Sequence, residues 1–343
     1  MIRYSKKETL HRLVCWASLG YLTIVVIVLL LMSYAGDRWW LATLILFGPR
    51  WIAALPLVIL LPIAVFFNRR QLISLVIAAL VVFGPLMGLC IPRGIARSPE
   101  SRPLRVLTCN IQNGVYSEVM LNYVIEEYNA DIVALQECPA EIKLKLPPDW
   151  NCVKEGELAV FSRYPLRMVS SIKAFHPPHK WPRESHLQCI IQVPGGDIAF
   201  STVHLPSPRY GLLNILDRHT VLNLSRRSLL QEETVNRQQT SQQIERLASA
   251  MHLPVLVAGD FNMLADSSIY RRYWNSYSNA FTSRGFGYGW TSHEIIRGLE
   301  IGARIDHILA GEGLTPRRCR VGFDVGSDHC PLFAEIDRIP VRQ

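Results

Sequence analysis

The chain has 343 residues, 49% of them hydrophobic, and a formal net charge of +8. That length and apolar content exclude a disordered chain and leave room for about two domains. The charge is one-sided: residues 1–105 hold 12 Lys and Arg against 3 Asp and Glu, which leaves 24 against 25 for residues 106–343. The second part therefore lacks the overall basic face with which a non-specific nucleic-acid-binding protein neutralises phosphates, although a local patch stays open.

Three stretches near the N-terminus carry no charged side chain: residues 13–36, 51–68 and 71–92. A membrane-spanning helix needs roughly 17–25 mostly apolar residues, so three spans are expected, at about 13–35, 51–68 and 71–92. A cleaved signal peptide is the alternative for the first. Its apolar run is long for that, no A-x-A site follows, and two more runs come after it. Residues 39–49 are too short to span alone. They form either an interfacial segment anchored by Trp39 and Trp40 or an extension of the second span.

Arg3, Lys6, Lys7 and Arg12 precede the first run, and Arg69 and Arg70 lie between the second and third. Basic residues are retained on the cytoplasmic side. The expectation is a multi-pass protein of the cell (inner, cytoplasmic) membrane, with its N-terminus in the cytoplasm and everything after about residue 93 outside. Arg93, Arg97, Arg102 and Arg105 run against this bias. The expected organisation is a transmembrane region over 1–92, a Pro-, Arg- and Ser-containing linker over 93–103, and a second domain over 104–343.

Within that domain the pattern predicts strands near 104–111, 131–136, 158–162, 166–174, 187–193, 197–203, 255–258, 304–309 and 331–336. Helices are expected over 117–129, about 232–250 and near 267–275. Alternating and wholly apolar strands mixed with a few helices suggest a layered α/β domain with packed sheets. Residues 205–230 are long for a plain loop. They mix Tyr210, Leu212, Leu213, Ile215 and Leu216 with Arg209, Arg218, Arg226 and Arg227, a composition that suits contact with a membrane or an amphiphilic substrate, or a packed surface helix. The eight cysteines contain no C-x-x-C pair, so a zinc knuckle is not expected. Cys109, Cys138 and Cys330 adjoin polar motif residues and read as small packing residues.

Several polar side chains sit at the ends of these apolar runs, where an unpaired group is costly. In Gly259-Asp260-Phe261-Asn262, alternate residues face the same way, so Asp260 and Asn262 point together. A carboxylate beside an amide can align a water, accept its proton and donate to a phosphate oxygen; a capped turn is the plainer reading. In Gly326-Ser327-Asp328-His329 a loop can turn Asp328 and His329 inward. His329 can donate to phosphate if a carboxylate holds its other nitrogen, and Asp306 is the candidate. His307 would point away from Asp306. Asn110 and Glu137 end two strands that, as neighbours, bring them to one sheet edge. A carboxylate, an amide and waters suit Mg2+. His204 ends another apolar strand.

The motifs Leu107-Thr108-Cys109-Asn110-Ile111, Ala134-Leu135-Gln136-Glu137, Phe161-Ser162-Arg163, Val203-His204-Leu205, Gly259-Asp260-Phe261-Asn262, Arg304-Ile305-Asp306-His307 and Gly326-Ser327-Asp328-His329 resemble, in order, those of the endonuclease/exonuclease/phosphatase superfamily. With three apolar runs in front, the layout is similar to its bacterial membrane-bound branch, which includes relatives of the teicoplanin-resistance membrane protein. The resemblance implies a four-layered β-sandwich flanked by helices. It implies that Glu137 binds a divalent metal, Mg2+ with Mn2+ as a substitute, with Asn110 beside it and Asp328 assisting. It further implies that Asp260 positions or deprotonates water and Asn262 stabilises the transition state. His329, oriented by Asp306, would contact the scissile phosphate, with His204 as a second histidine. Gln112 departs from the pattern, standing where abasic-site endonucleases carry an acid. No carboxylate partner for His204 is evident, Glu155 and Glu157 being candidates only.

These expectations point to a membrane-anchored, metal-dependent phosphoester hydrolase with an extracytoplasmic site. Its partners would be the lipid bilayer and a lipid-linked phosphate or pyrophosphate; by resemblance an undecaprenyl-type carrier fits. A surface nuclease acting on nucleic acid is the second reading, and a catalytically inactive membrane sensor on the same scaffold the third.

Overall fold

The computed structural model of the chain describes residues 6–94, 102–177, 179, 181–216, 227–296 and 299–339. These divide into two compact units, Met1–Leu89 and Cys90–Gln343.

The first unit is helical: α1 (Lys6–Ala35), α2 (Trp40–Phe47), α3 (Leu55–Phe67) and α4 (Leu72–Val81), the last continuing through a wider turn over Val82–Leu86. Three stretches are long and apolar enough to cross a membrane: Lys7–Ala35, Arg50–Phe67 and Arg69–Leu86. Burial is inverted relative to a helix set made for water. Trp16, Val58, Phe66 and Ile73 are largely exposed, while Ser18, Thr43 and Asn68 are buried. Large apolar side chains turned outward with polar ones inward fit a hydrocarbon surround.

One boundary left open by the sequence is decided, and another differs from the sequence reading. Residues 39–49 contain a separate helix, α2, parted from the next apolar stretch by extended Gly48 and by Pro49, so they do not prolong the second span. The third stretch ends at Leu86, not residue 92, because Gly84 leaves helical geometry (φ −84°, ψ −108°) beside Pro85. Residues 90–94 already belong to the second unit. Cys90 and Gly287 exchange backbone hydrogen bonds of 2.8 and 3.0 Å, and Arg93 N–H donates to Ser283 O at 3.0 Å. The expected linker over 93–103 thus begins too early, and residues 95–101 lie outside the described ones.

The second unit contains, in chain order, β1 (Leu104–Asn110), α5 (Glu118–Glu127), β2 (Ile132–Gln136), β3 (Asn151–Glu155), β4 (Leu158–Ser162), β5 (Leu166–Ala174), β6 (Arg183–Val193) and β7 (Gly196–His204). It continues with α6 (Arg209–Leu216), α7 (Arg227–Ser249), β8 (Val255–Asp260), α8 (Ser268–Tyr273), β9 (Ser278–Asn279), α9 (Ala280–Arg284), β10 (Ser292–Ile296), β11 (Leu299–Ala303), β12 (Asp306–Ala310), β13 (Leu314–Val321) and β14 (Leu332–Arg338). One six-stranded sheet runs β13-β14-β1-β2-β4-β3, another β5-β6-β7-β8-β12-β9, and β10-β11 form a separate hairpin. The pairs β1/β2 and β7/β8 are parallel, and the other pairs are antiparallel.

Strand periodicity explains the layering. Val106, Ile132, Ala134 and Val160 of the first sheet meet Leu187, Cys189, Phe200, Leu256 and Ile308 of the second in a core between the sheets. Their sequence neighbours face outward and are covered too. Leu107, Val133 and Leu135 pack on Leu121, Val124 and Ile125 of α5. Ala199, Val203, Val257 and Leu309 pack on Ile244 and Ala248 of α7 and on Ile269 and Tyr273 of α8. Strands covered on both faces must be apolar at every position, which is why β2 and β8 lack alternation. The four-layered α/β sandwich expected from the motifs is the fold observed.

Candidate active site

The parallel pairs bring the C-terminal ends of their strands to one edge. In β7/β8 the register sets His204 opposite Asp260, and the antiparallel β12 sets Asp306 opposite Asp260 from the other side. In the first sheet Asn110 lies opposite Gln136, one residue before Glu137. The sheets meet through Asn110, whose Nδ2 donates to Glu137 Oε1 and to Asp260 Oδ2, both at 3.1 Å. Glu137 and Asn262, each the residue that redirects the chain off a strand end, have φ of +50° and +49°. Non-glycine residues held there cost energy and cluster at functional sites.

Asp260 is enclosed by donors. Its Oδ1 accepts from Asn262 N–H at 2.8 Å and its Oδ2 from Asn262 Nδ2 at 3.2 Å. Asn262 Nδ2 also donates to Leu205 O at 2.8 Å. Burial, then the nearby Asp306 charge, push the Asp260 carboxyl up to about 7, against the pull of His329 and these donors. His329 Nδ1 lies 2.8 Å from Asp306 Oδ2, and its Nε2 lies 4.0 Å from Asp260 Oδ2. Burial disfavours its charged form, but the Asp306 and Asp260 carboxylates outweigh burial and hold it up to about 10. With Nδ1 engaged by Asp306, Nε2 is the nitrogen turned to the cleft.

His204 Nε2 lies 3.7 Å from both Glu137 Oε1 and Asp260 Oδ2. Its carboxylate neighbours are these two and not Glu155 or Glu157; Glu157 instead pairs with Arg183 at 3.4 Å. Burial lowers the His204 pKa in spite of Glu137. Asp328 reaches the cleft from the loop before β14, its Oδ2 3.9 Å from Arg209 Nη1. Gln112, the departure from the motif, has its side chain turned to that loop, where its Oε1 accepts from Asp328 N–H at 3.4 Å.

The cleft is therefore lined by Asn110, Glu137, His204, Asp260, Asn262, Asp328 and His329, with Asp306 directly behind His329. All eight residues singled out in the sequence converge. Asn110 does so with its Oδ1 accepting Gln112 N–H at 3.0 Å, so its amide presents N–H to the carboxylates and orients them rather than offering oxygen to an ion. His307 is buried away from the cleft, bonded to Asn279 and Met263 O. Cys109 and Cys138 are buried and Cys330 partly so; among the described residues none is in a disulfide.

The sequence reading missed His176, His179 and Arg183, which also line the cleft. His176 is buried, its Nε2 2.6 Å from Ser185 Oγ and its ring 5.2 Å from that of His204. Burial, then the charges of His204 and Arg183, lower its pKa to about 2. The available signal was a His- and Pro-rich connection between two strands, longer than a hairpin turn requires.

The donor set fits a hard divalent cation. Ligand atoms of Asp260, Asp306 and His329 lie within 4.8 Å of one another, and Glu137 and Asp328 add carboxylates that are partly open to solvent. Such crowding of carboxylate oxygen suits Mg2+ or Mn2+ and not a thiolate-bound metal. In the close trio the His329–Asp306 contact engages Asp306 Oδ2 and leaves its buried Oδ1 without a hydrogen-bond partner among the described residues, while Glu137 and Asp328 bring the more open carboxylates.

Two packed mixed sheets flanked by helices, with an acidic, histidine-containing cleft at their joined ends, define a layered α/β sandwich class. The chain belongs to the Endonuclease/Exonuclease/phosphatase family, whose model matches residues 107–329. Several solved structures resemble the chain at low identity, with TM-scores below 0.5. The catalytic domain of human Nocturnin, with bound sulfate, is 14% identical over 70% of this chain and 97% of its own, with a TM-score of 0.48. TDP2 of D. rerio, complexed with a single-strand DNA product, is 13% identical over 69% and 100%, with a TM-score of 0.48. A mannosyl-6-phosphatase of Bacteroides thetaiotaomicron is 16% identical over 68% and 99%, with a TM-score of 0.46. A comparison with curated protein sequences returned no match.

Proposed function

We propose that the protein is a membrane-anchored, Mg2+-dependent phosphoester hydrolase whose site acts outside the cytoplasm on a lipid-linked phosphate or pyrophosphate. The observation that carries the hydrolytic part is the convergence of Asp260, Asn262, Asp306 and His329 with Glu137 in one buried cleft. The three apolar stretches support the anchor. The near-neutral charge of residues 106–343 speaks for a lipid phosphate over nucleic acid.

Glu137 and Asp328 would hold the metal, which when bound polarises the phosphoryl oxygen and offsets negative charge. The remaining work falls to the chain's own groups. Asp260, with its carboxyl raised toward neutrality, aligns the attacking water and accepts its proton. Asn110 and Asn262 lock that carboxylate in place through their amide N–H groups. His329, kept cationic by Asp306, donates from Nε2 to the phosphoryl oxygen as charge builds. His204 lies beside it, its Nε2 3.7 Å from both Glu137 and Asp260.

The test is turnover by the detergent-solubilised chain on prenyl phosphate and on DNA with Mg2+. Phosphate release from the lipid, lost on chelation and restored by Mg2+, is expected. Glu137→Gln should raise the Mg2+ concentration needed, and Asp260→Ala should lower turnover by on the order of 10^2–10^3 or more. DNA cleavage with no lipid-phosphate turnover would reverse the choice of substrate. Near-normal turnover by Asp260→Ala would overturn the site.

A further inference from the structure

Among the cleft-lining side chains with no part in the scheme above are His179 and Arg183 at the β5–β6 connection, and Arg209 and Tyr210 at the start of α6. Arg183 Nη2 lies 3.4 Å from Glu157 Oε1, and Arg209 Nη1 lies 3.9 Å from Asp328 Oδ2. The charge of Arg183 reaches the cleft, since it helps to lower the pKa of both His204 and His176.

The wall that carries Arg209 and Tyr210 is built at a cost. Glu233 of α7 is fully buried, and both its carboxylate oxygens accept Gly211 N–H, at 3.1 and 3.0 Å. Arg237, one turn further on and also fully buried, donates to Pro206 O at 3.0 Å. Burial holds the Glu233 carboxyl up to about 8 and leaves Arg237 charged, an arrangement that is expensive unless each group is well bonded. Here they clamp the backbone on either side of residues 207–210 and so set where Arg209 and Tyr210 enter the cleft.

A single phosphoryl group is already served by His329, His204 and the carboxylates that would hold the metal. Further cations from two other elements suit a second anionic group, and guanidinium is the side chain best matched to phosphate oxygens. We propose that Arg183 and Arg209, with His179 and Tyr210, form a second phosphate subsite, and that the substrate is a diphosphate ester. Its terminal phosphoryl group reacts, while the phosphate next to the ester oxygen lies against the two guanidinium groups. This rests on the hydrolase reading. Water then forms a bond to the terminal phosphorus, and the bond from that phosphorus to the bridging oxygen breaks. The products are orthophosphate and the monophosphate ester, and the proton lost by water goes to Asp260. The charge that develops on the departing bridging oxygen falls where Arg183 and Arg209 stabilise it.

The test compares kcat/KM for farnesyl diphosphate and farnesyl monophosphate, using the full chain in detergent with Mg2+. In Arg183→Gln and in Arg209→Gln the diphosphate-to-monophosphate ratio should fall about ten-fold, and Arg183→Lys should recover part of it. An unchanged ratio, or equal losses on both substrates, overturns the subsite. Calorimetric titration with inorganic pyrophosphate and with orthophosphate, at fixed free Mg2+, reads the subsite without turnover. Tighter binding of pyrophosphate that is lost in the two Gln variants supports it even if no prenyl substrate is hydrolysed, in which case only the lipid assignment fails. Equal binding of the two anions overturns it. So does cleavage of a single-stranded oligonucleotide that the Gln variants slow while the two anions bind alike, which would mark a nucleic-acid groove instead.

Discussion

His329 is charged because of its surroundings. A buried imidazole would ordinarily lose its proton, and His204 and His176 in the same cleft do show lowered pKa values. What separates His329 is the 2.8 Å contact of its Nδ1 with Asp306, backed by Asp260 nearby. Its pKa is raised in the fold, from 6.5 to about 10. The stabilisation it contributes is therefore fully present below about 6.5 and is lost as pH rises through about 10. Turnover should rise through about 7 as Asp260 loses its proton and decline toward about 10 as His329 loses its own. Asp306→Asn should lower kcat on the order of 10^3-fold and move that decline toward the ordinary histidine range. A pH profile of kcat/KM for both proteins checks this, and an unshifted alkaline limb in the variant would count against the pair.

At the level of elements, the site depends on how closely β7 and β8 approach. Gly259 has φ of +147°, and a Cβ there would lie 2.1 Å from Val203 O and 2.8 Å from Val203 N. Both are backbone atoms of the paired strand, so no side chain can move aside. Gly259→Ala should cost about 3 kcal/mol or more, with thermal unfolding of the solubilised chain as the measurement. A variant melting within a few degrees of the parent would mean that the strands can part without loss. The same close approach puts His204 and Asp260 in register, so a lesion at a residue that touches no substrate should also disorder the catalytic edge.

For the molecule as a whole, the division at Leu89/Cys90 makes a prediction that a boundary at residue 104 would not. The chain beginning at Cys90 keeps the Cys90–Gly287 backbone pair, the Arg93–Ser283 bond and the Arg304 Nη1 contact with Cys90 Sγ at 3.0 Å. It should fractionate as a soluble protein that hydrolyses a water-soluble phosphoester, while the full chain stays with membranes through an alkaline carbonate wash. A chain beginning at Leu104 should melt at a lower temperature than one beginning at Cys90. Equal melting temperatures would show that residues 90–94 add nothing to the second unit.

Much of this was legible in the chain itself. The uncharged runs announced the three apolar stretches, because hydrocarbon excludes charge wherever a helix is packed. The apolar runs ending in Asn110, Glu137, His204 and Asp260 announced strands that deliver polar groups to an edge; within the covered strands, the buried Thr108 and Thr202 are instead paired through Gln136. Several elements escaped: β3, β9, α9 and the β10–β11 hairpin owe their form to neighbours, and the eight-residue β13 is obscured by Pro316 and the register shift beside it. The break at Gly84-Pro85 set the end of the third stretch where hydropathy alone ran on to residue 92. Residue identity determined which chemical groups were available and that each would lie near a strand end. Only tertiary structure decided that Asp306 holds His329, that Asn110 bridges the sheets with its N–H groups, and that Arg183 and Arg209 share the cleft. Those contacts join residues far apart in sequence, and only the pairing of the strands and the packing of the two sheets set the distances between them.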